Sequence, residues 1–269
     1  MKLGNNGLLK KVDAKGAGLT TITLPNGGYL EEVYLPATLQ QLQLRKQENI
    51  NIFQLGTWDA RGNYTMDVSS LQTIFVEGQM PSVPLAEILE SSLSNSSFKG
   101  LRLEDVYLDI SGWTDINRVR TFISLLASDD LEGKQLNAEG IPVEYDVNDP
   151  STRFPVVSGW LKLPNDLINK QPDAADLDVL ITQIAARYSA LYIAPPTKIK
   201  AFRNCKWYEI AAVCAAAKAG ILTDDNGNPC DIQRKAVDVD ENGNFIYSGW
   251  WSEGDGRSDM LQDGSTTPL

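Results

Sequence analysis

The sequence predicts an α/β, β-rich fold in which short strands stack into an irregular solenoid and an α/β part follows. Three observations carry that expectation. A three-residue apolar template recurs along the first hundred residues. Turn-forming glycines and prolines fall between its copies. Apolar stripes at helical spacing enter only later in the chain.

The template is an apolar residue, two free positions, an apolar residue, one free position and a third apolar residue. It fits Leu9/Val12/Ala14, Leu19/Ile22/Leu24, Leu30/Val33/Leu35, Leu39/Leu42/Leu44 and Ile50/Phe53/Leu55, whose starts lie 10, 11, 9 and 11 residues apart. It returns at Leu71/Ile74/Val76 and Leu103/Val106/Leu108, after gaps of 21 and 32 residues that leave room for inserts. The last two positions are two apart and share one face of an extended segment, whereas the first must sit at the corner leading in. A strand with one apolar face cannot bury it alone; stacked units bury a continuous column. Two units, about twenty-one residues, make one coil with two short extended sides. Pro25, Gly27, Gly28 and Pro36 stand where the chain must turn. The residues between each inner pair point outward: Thr23, Tyr34, Gln43, Gln54, Phe75 and Tyr107. Such a mixed polar and aromatic stripe is a candidate partner-binding face, since exposed aromatics anchor interfaces.

The phrase "LTTITLPNGGYLEEVYLPATLQQLQLRKQENINIFQL" resembles the irregular leucine-rich repeats of BspA-type proteins. It is still more similar to repeats in large structural proteins of Bacteroidales phages and prophages. In those, a helix and a segment ending "AVVSG" follow the repeats; here "LEGKQLNAEGIPVEYDVNDPSTRFPVVSGWLKLP", residues 131–164, stands in that place. The resemblance spans residues 8–190. It implies a leucine-rich-repeat solenoid over 1–111, a helix and β segment packed on it over 112–164, and an α/β region with an acidic, Trp-containing tail over 165–269. It further implies a non-enzymatic virion protein of the phage tail or its attachment region. Other virion proteins would be its partners, in an oligomeric assembly formed in the bacterial host cytoplasm. The BspA-type likeness alone would instead imply a bacterial surface or host-binding module.

Beyond the repeats, Leu85, Ile88, Leu89 and Leu93 behind Pro84 predict a short helix over 84–93. A second helix is expected over 115–127, with Thr114 as N-cap and Ile116, Val119, Ile123 and Leu126 as its stripe. "NAEG" predicts a turn at 137–140, and "PVVSGWLKLP" an extended segment that Pro164 ends. Leu177, Leu180, Ile181, Ile184, Tyr188 and Leu191 predict a helix over 173–191. Pro195 and Pro196 break the chain after it, and Trp207, Ile210, Ala211, Cys214 and Ala217 form another stripe, capped by Gly220.

The 269 residues carry 24 Lys and Arg against 35 Asp and Glu, a net charge of −11 that argues against nucleic-acid and anionic-membrane partners. With no histidine, the usual general base and the Ser-His and Cys-His pairs are absent. Three cysteines without a CxxC spacing read as reduced structural thiols. No stretch of about 18 apolar residues predicts membrane insertion, and the opening residues lack a signal-peptide core, so the chain is not expected to be exported by itself. The first repeat starts close to Met1 without a cap, which predicts that this edge lies in a subunit contact.

Two polar clusters invite a ligand. Asp238, Asp240, Asn242 and Gly243 stand at positions 1, 3, 5 and 6 of a calcium loop whose closing carboxylate is replaced by Gly249. The flanking Val237, Val239, Phe245 and Tyr247 alternate like a simple hairpin around the Asn-Gly turn. Apart from calcium there, no cofactor is expected. Trp250 and Trp251 beside Glu253, Asp255 and Asp259 have the makeup of a carbohydrate site. No catalytic fingerprint occurs, and no enzyme activity is expected.

Overall fold

The computed structural model describes residues 1, 3, 8–164, 180–181, 183–184, 186–188, 190–194, 232–239 and 245–252. The chain divides into two compact units, Met1–Trp160 with Asp173–Leu191, and Leu161–Pro172 with Tyr192–Leu269. It is mixed α/β and rich in strands.

In the first unit, β1 (Lys11–Asp13) and β2 (Glu32–Pro36) pair in parallel, and β3 (Gln41–Arg45) follows β2 in another sheet. Next comes β4 (Ile52–Trp58), which returns to the first sheet beside β2; β5 (Tyr64–Met66) turns back antiparallel on it. The chain then enters the second sheet again as β6 (Thr73–Glu77) and β7 (Gly100–Asp109), with helix α1 (Leu85–Leu93) between them. The first six units thus alternate between sheets, and the seventh stays in the second. Lys11, Glu32 and Ile52 are in register on the first sheet, at steps of 21 and 20 residues. On the second, Thr21, Gln41, Thr73 and Gly100 align at steps of 20, 32 and 27. Beyond Thr21, Thr23 N donates to Met1 O at 2.8 Å and Leu3 N to Thr23 O at 3.1 Å, the pattern of one more parallel neighbour.

Each template pair lies on the inner side of its strand. Val33, Leu35, Leu42, Leu44, Phe53, Leu55, Ile74 and Val76 are all at most 6% exposed. Only Ala37–Gln40 separates β2 from β3, so the end of one and the start of the other lie within about 17 Å. Gln47, buried, ties its segment to the chain 22 residues before it. Its Nε2 donates to Pro25 O, and Arg45 O accepts from Gly27 N at 2.9 Å.

The longer steps hold inserts. The 32-residue step contains β4 and β5, closed by the 59–63 turn, in which Asp59 Oδ1 accepts from Arg61 N and Asn63 N. The 27-residue step contains α1, which buries Leu85, Ile88 and Leu89. The seventh unit differs from the sequence expectation. Ile74 aligns with Leu101 and Val76 with Leu103, and Phe98, 3% exposed, holds the corner. The unit is therefore Phe98/Leu101/Leu103. Asp105, at φ +52°, breaks the strand's regular run, so Val106 and Leu108 belong to a second half of β7, not to the repeat.

Helix α2 (Ile116–Ala127) starts one residue later than predicted. Its N-cap is Asp115, not Thr114, because the Asp115 carboxylate accepts from Asn117 N at 2.9 Å. Arg118 lies 3.7 Å from the Trp113 ring centroid and makes a two-pronged ion pair with Glu90 of α1. After α2, β8 (Gln135–Leu136) runs parallel to β7 and forms a hairpin with β9 (Pro142–Val143), around the predicted turn at 137–140. The "VVSGWLK" segment is β10 (Val156–Lys162), hydrogen-bonded beside β7. Gly159 is required there: at φ +116°, a Cβ would sit 2.0 Å from Val106 O.

Of the predicted helix over 173–191, residues 180–181, 183–184 and 186–187 are described and helical. Leu191 does not end that helix but opens β11 (Leu191–Ala194). Tyr188 is buried with its hydroxyl donating to Leu126 O at 3.1 Å, and that burial pushes its pKa up to about 12. In the second unit, β12 (Ile232–Val239) and β13 (Phe245–Ser252) pair antiparallel, Val239 opposite Phe245, as the Asn-Gly spacing predicts. Cys205, the 207–217 stripe with Cys214, Gly220 and the Pro195–Pro196 break lie outside the described residues.

Two outcomes follow. Gly159→Ala forces a strained φ and a backbone collision, so it should cost 3 kcal/mol or more; urea unfolding that leaves the midpoint unchanged would refute this close approach. The Tyr188 phenol is held neutral in the folded chain, with a folded pKa above its unfolded value. Its stabilisation is complete below about pH 10 and is lost as the pH rises from about 10 to 12, by up to about 2–3 kcal/mol. Subtracting the Tyr188→Phe stability profile from the parent's should isolate that fall.

Candidate functional site

The predicted outward stripe is not one face. Because successive units occupy different sheets, Tyr34 and Gln54 share a row of the first sheet, and Gln43 and Phe75 a row of the second. Thr23, exposed, flanks the second sheet, while Tyr107 lies on the second half of β7. Register places Arg102, not Tyr107, beside Phe75.

On the first sheet, Tyr34, Trp58 and Tyr64 form an aromatic row with ring centroids 6.5 and 5.5 Å apart. Lys15 Nζ stands 3.9 Å from the Tyr34 centroid and 5.5 Å from that of Trp58, so the ring faces are already covered by a cation. Tyr34 is 9% exposed, and its hydroxyl donates to Glu32 Oε2 at 3.0 Å. Lys11 pairs with the same carboxylate at 2.8 Å. The Lys11 and Tyr34 hydrogen bonds hold Glu32 below the usual carboxylate range, and desolvation together with Glu32 raises the Tyr34 hydroxyl. The Tyr64 hydroxyl accepts from Leu55 N at 3.1 Å and donates to Leu55 O at 3.0 Å. It thereby engages both hydrogen-bonding groups of Leu55 on the β4 edge just past the end of β5, where Asp67 N also donates to Leu55 O at 3.1 Å.

On the second sheet, Phe75 is 2% exposed, which overturns its place among exposed docking aromatics. Arg45 and Arg102 flank its ring at 4.8 and 5.8 Å, and the 137–141 turn lies over it. Gln43 Nε2 fixes that turn by donating to Glu139 O at 3.3 Å, and a Cβ on Gly140 would come within 3.4 Å of the Phe75 ring. The guanidinium groups are matched in turn. Arg45 and Lys46 both reach Glu77 at 3.0 Å, and Arg102 pairs with Glu104. Burial pushes the Glu77 carboxyl up, but the hydrogen bonds from Lys46 and Arg45 outweigh it and hold the pKa low. Beside this row, a cleft of about 210 Å³ opens between Thr21, Thr23 and Gln41 on one wall and Ile141 and Pro142 on the other.

The remaining candidates do not come together within the described residues. Asp238 is a β12 residue opposite Ile246, while Asp240 and Asn242 lie outside them. Trp250 and Trp251 are β13 residues opposite Arg234 and Gln233; Glu253, Asp255 and Asp259 lie outside. Among the described residues no group of three His, Cys, Asp or Glu is placed to hold a metal ion.

No family model, curated protein or solved structure matches this chain. Both outer rows consist of ion pairs and covered rings whose members already satisfy one another.

The sequence pattern hid one feature of this region, the exposed side of the β8–β9 hairpin. Ile141, Tyr145 and Val147 are 58%, 37% and 75% exposed. An alternating apolar run that ends up in solvent was the available signal. No described helix is long and apolar enough to cross a membrane.

With the Phe75 ring enclosed, Phe75→Ala should cost about 3–5 kcal/mol of stability, as for a core position. Lys15→Ala, on the first face, should cost under about 1 kcal/mol. Equal, small losses in chemical unfolding would restore Phe75 to the surface.

Proposed function

We propose that the chain is a non-enzymatic structural protein of a phage virion, in the tail or its attachment region, and that its stacked strands are a short leucine-rich-repeat solenoid. The observation that carries the reading is the Lys11–Glu32–Ile52 register, one coil per 20–21 residues with two strand positions in each. That is the period the repeat template implies, and it agrees with the likeness of residues 8–190 to phage structural proteins.

An assembly role is supported by the unequal ends of the first sheet. At one end, β5 and the Tyr64 hydroxyl close the stack. At the other, β1 is the edge strand, with Lys11 and Asp13 exposed on either side of Val12. Strands can be added at that edge, so a neighbouring subunit could extend the stack there.

The test is the composition of particles. Virions induced from a bacterium carrying the gene and purified by density should contain the chain at a fixed copy number, with antibody label at the tail. Its absence from such particles, or its recovery on the surface of uninduced cells, would overturn the reading.

A further inference from the structure

We infer that the segment Ile141–Val147 is a docking site for an extended, positively charged polypeptide segment of a different protein. This rests on the exposed side of the β8–β9 hairpin and stands whether or not the virion reading holds.

The segment reads Ile-Pro-Val-Glu-Tyr-Asp-Val, with apolar residues at every odd position and none but Pro142 at the even ones. Alternation of this kind is the pattern of a strand with one face buried. Here that face is not buried. Ile141 is 58% exposed, Tyr145 37% and Val147 75%, and Val143 is only half-buried. These are three of the few large apolar side chains that the described residues expose, and they fall within seven positions. Only Pro142–Val143 of the segment is strand, β9, which pairs with β8 alone and leaves its other edge without a strand; Tyr145 and Val147 follow it in irregular chain and a turn. Exposed apolar side chains on and beyond an unpaired strand edge are what an extended partner segment would cover.

Charge selects the occupant. From Gln135 to Thr152 the chain has Glu139, Glu144, Asp146 and Asp149 and no Lys or Arg. Two copies of this segment laid side by side would oppose like charges, which disfavours self-pairing. A partner with Lys or Arg alternating with apolar residues satisfies both the carboxylates and the exposed face. Two of the four carboxylates also brace local turns: Asp146 accepts from Asn148 N and Asp149 from Ser151 N. Glu144 has no such task, which makes it the position for a clean charge test. Ile141 also forms one wall of the cleft opposite Thr21 and Gln41, where an apolar side chain of the partner would seat.

The experiment uses the full chain and two end-blocked, fluorescein-labelled octapeptides, one alternating Lys with Val and the other Glu with Val. The Lys-Val peptide should bind by anisotropy and slow amide exchange over 141–147, and the Glu-Val peptide should not bind. Ile141→Ser with Val147→Ser, both at exposed positions, should weaken binding at least tenfold while the unfolding midpoint stays in place. Glu144→Lys should weaken the Lys-Val peptide several-fold. The inference fails if neither peptide binds, or if binding is indifferent to these substitutions. It fails equally if the chain alone self-associates and the paired serine variant abolishes that, since a second copy would then be the occupant.

Discussion

Everything in the first unit depends on short parallel strands being paired in register with a strand twenty or more residues before. A strand of three to five residues has too few hydrogen bonds and too little apolar area to persist by itself. Placed beside its neighbour twenty residues away, it gains both at once. Its backbone joins a ladder, and its two inner side chains join a column running through Val33 and Phe53 on one sheet and Leu42, Ile74 and Leu101 on the other. The corners carry comparable weight. Leu30, Leu39 and Leu71 are each at most 1% exposed and fill the turn where the chain changes sheet. Gln47, also buried at a corner, uses its amide to satisfy a carbonyl of the preceding coil. A corner without such a donor would leave buried backbone oxygens unpaired.

The same constraint explains where the regularity stops. A stack of parallel strands grows until its edge is blocked. On the first sheet β5 reverses direction, and the Tyr64 hydroxyl takes up the Leu55 amide and carbonyl, so no parallel strand follows β4. The second sheet continues through β6 and β7 while its partner does not. The chain between those strands consequently has an apolar flank to cover and no strand position to occupy, and it forms α1 there, with α2 following β7. Their mutual contact is fixed by Arg118, which holds Glu90 on one helix and stacks on Trp113 before the other.

These relations decide what the sequence could disclose. The apolar pairs were legible because their spacing is a direct consequence of strand geometry, and the same holds for the α1 stripe behind Pro84. Sheet membership was not. A template read in one dimension cannot show that alternate units belong to different sheets, so six outward residues looked like one stripe, although Tyr34 and Gln54 share a row of the first sheet, Gln43 and Phe75 a row of the second, and Tyr107 belongs to neither row. The seventh unit was misread for a related reason. Leu103 satisfies the template both as a corner and as an inner residue, and only the positive φ of Asp105, a long-range matter of where β10 approaches, decides between them. Thr114 and Asp115 are both good N-caps, and which one serves depends on the path by which the chain leaves Trp113. The enclosure of Phe75 depends on a turn some sixty residues later, and nothing local to β6 announces it.

The division of the outer stripe bears on where contacts with other molecules can form. A row of rings and charges on a sheet is attractive to a partner only to the extent that its own members leave each other unsatisfied. On the first sheet Lys15 covers the rings and Lys11 neutralises Glu32; on the second, Arg45 and Arg102 flank Phe75 and are themselves held by Glu77 and Glu104. Both rows are internally matched, and displacing any member would break an existing pair for each new one made. The 141–147 segment differs on both counts, because its apolar face is uncovered and its acidic residues have no cations alternating with them. A partner of the kind inferred above would therefore be selected by the 141–147 segment and not by the two matched rows.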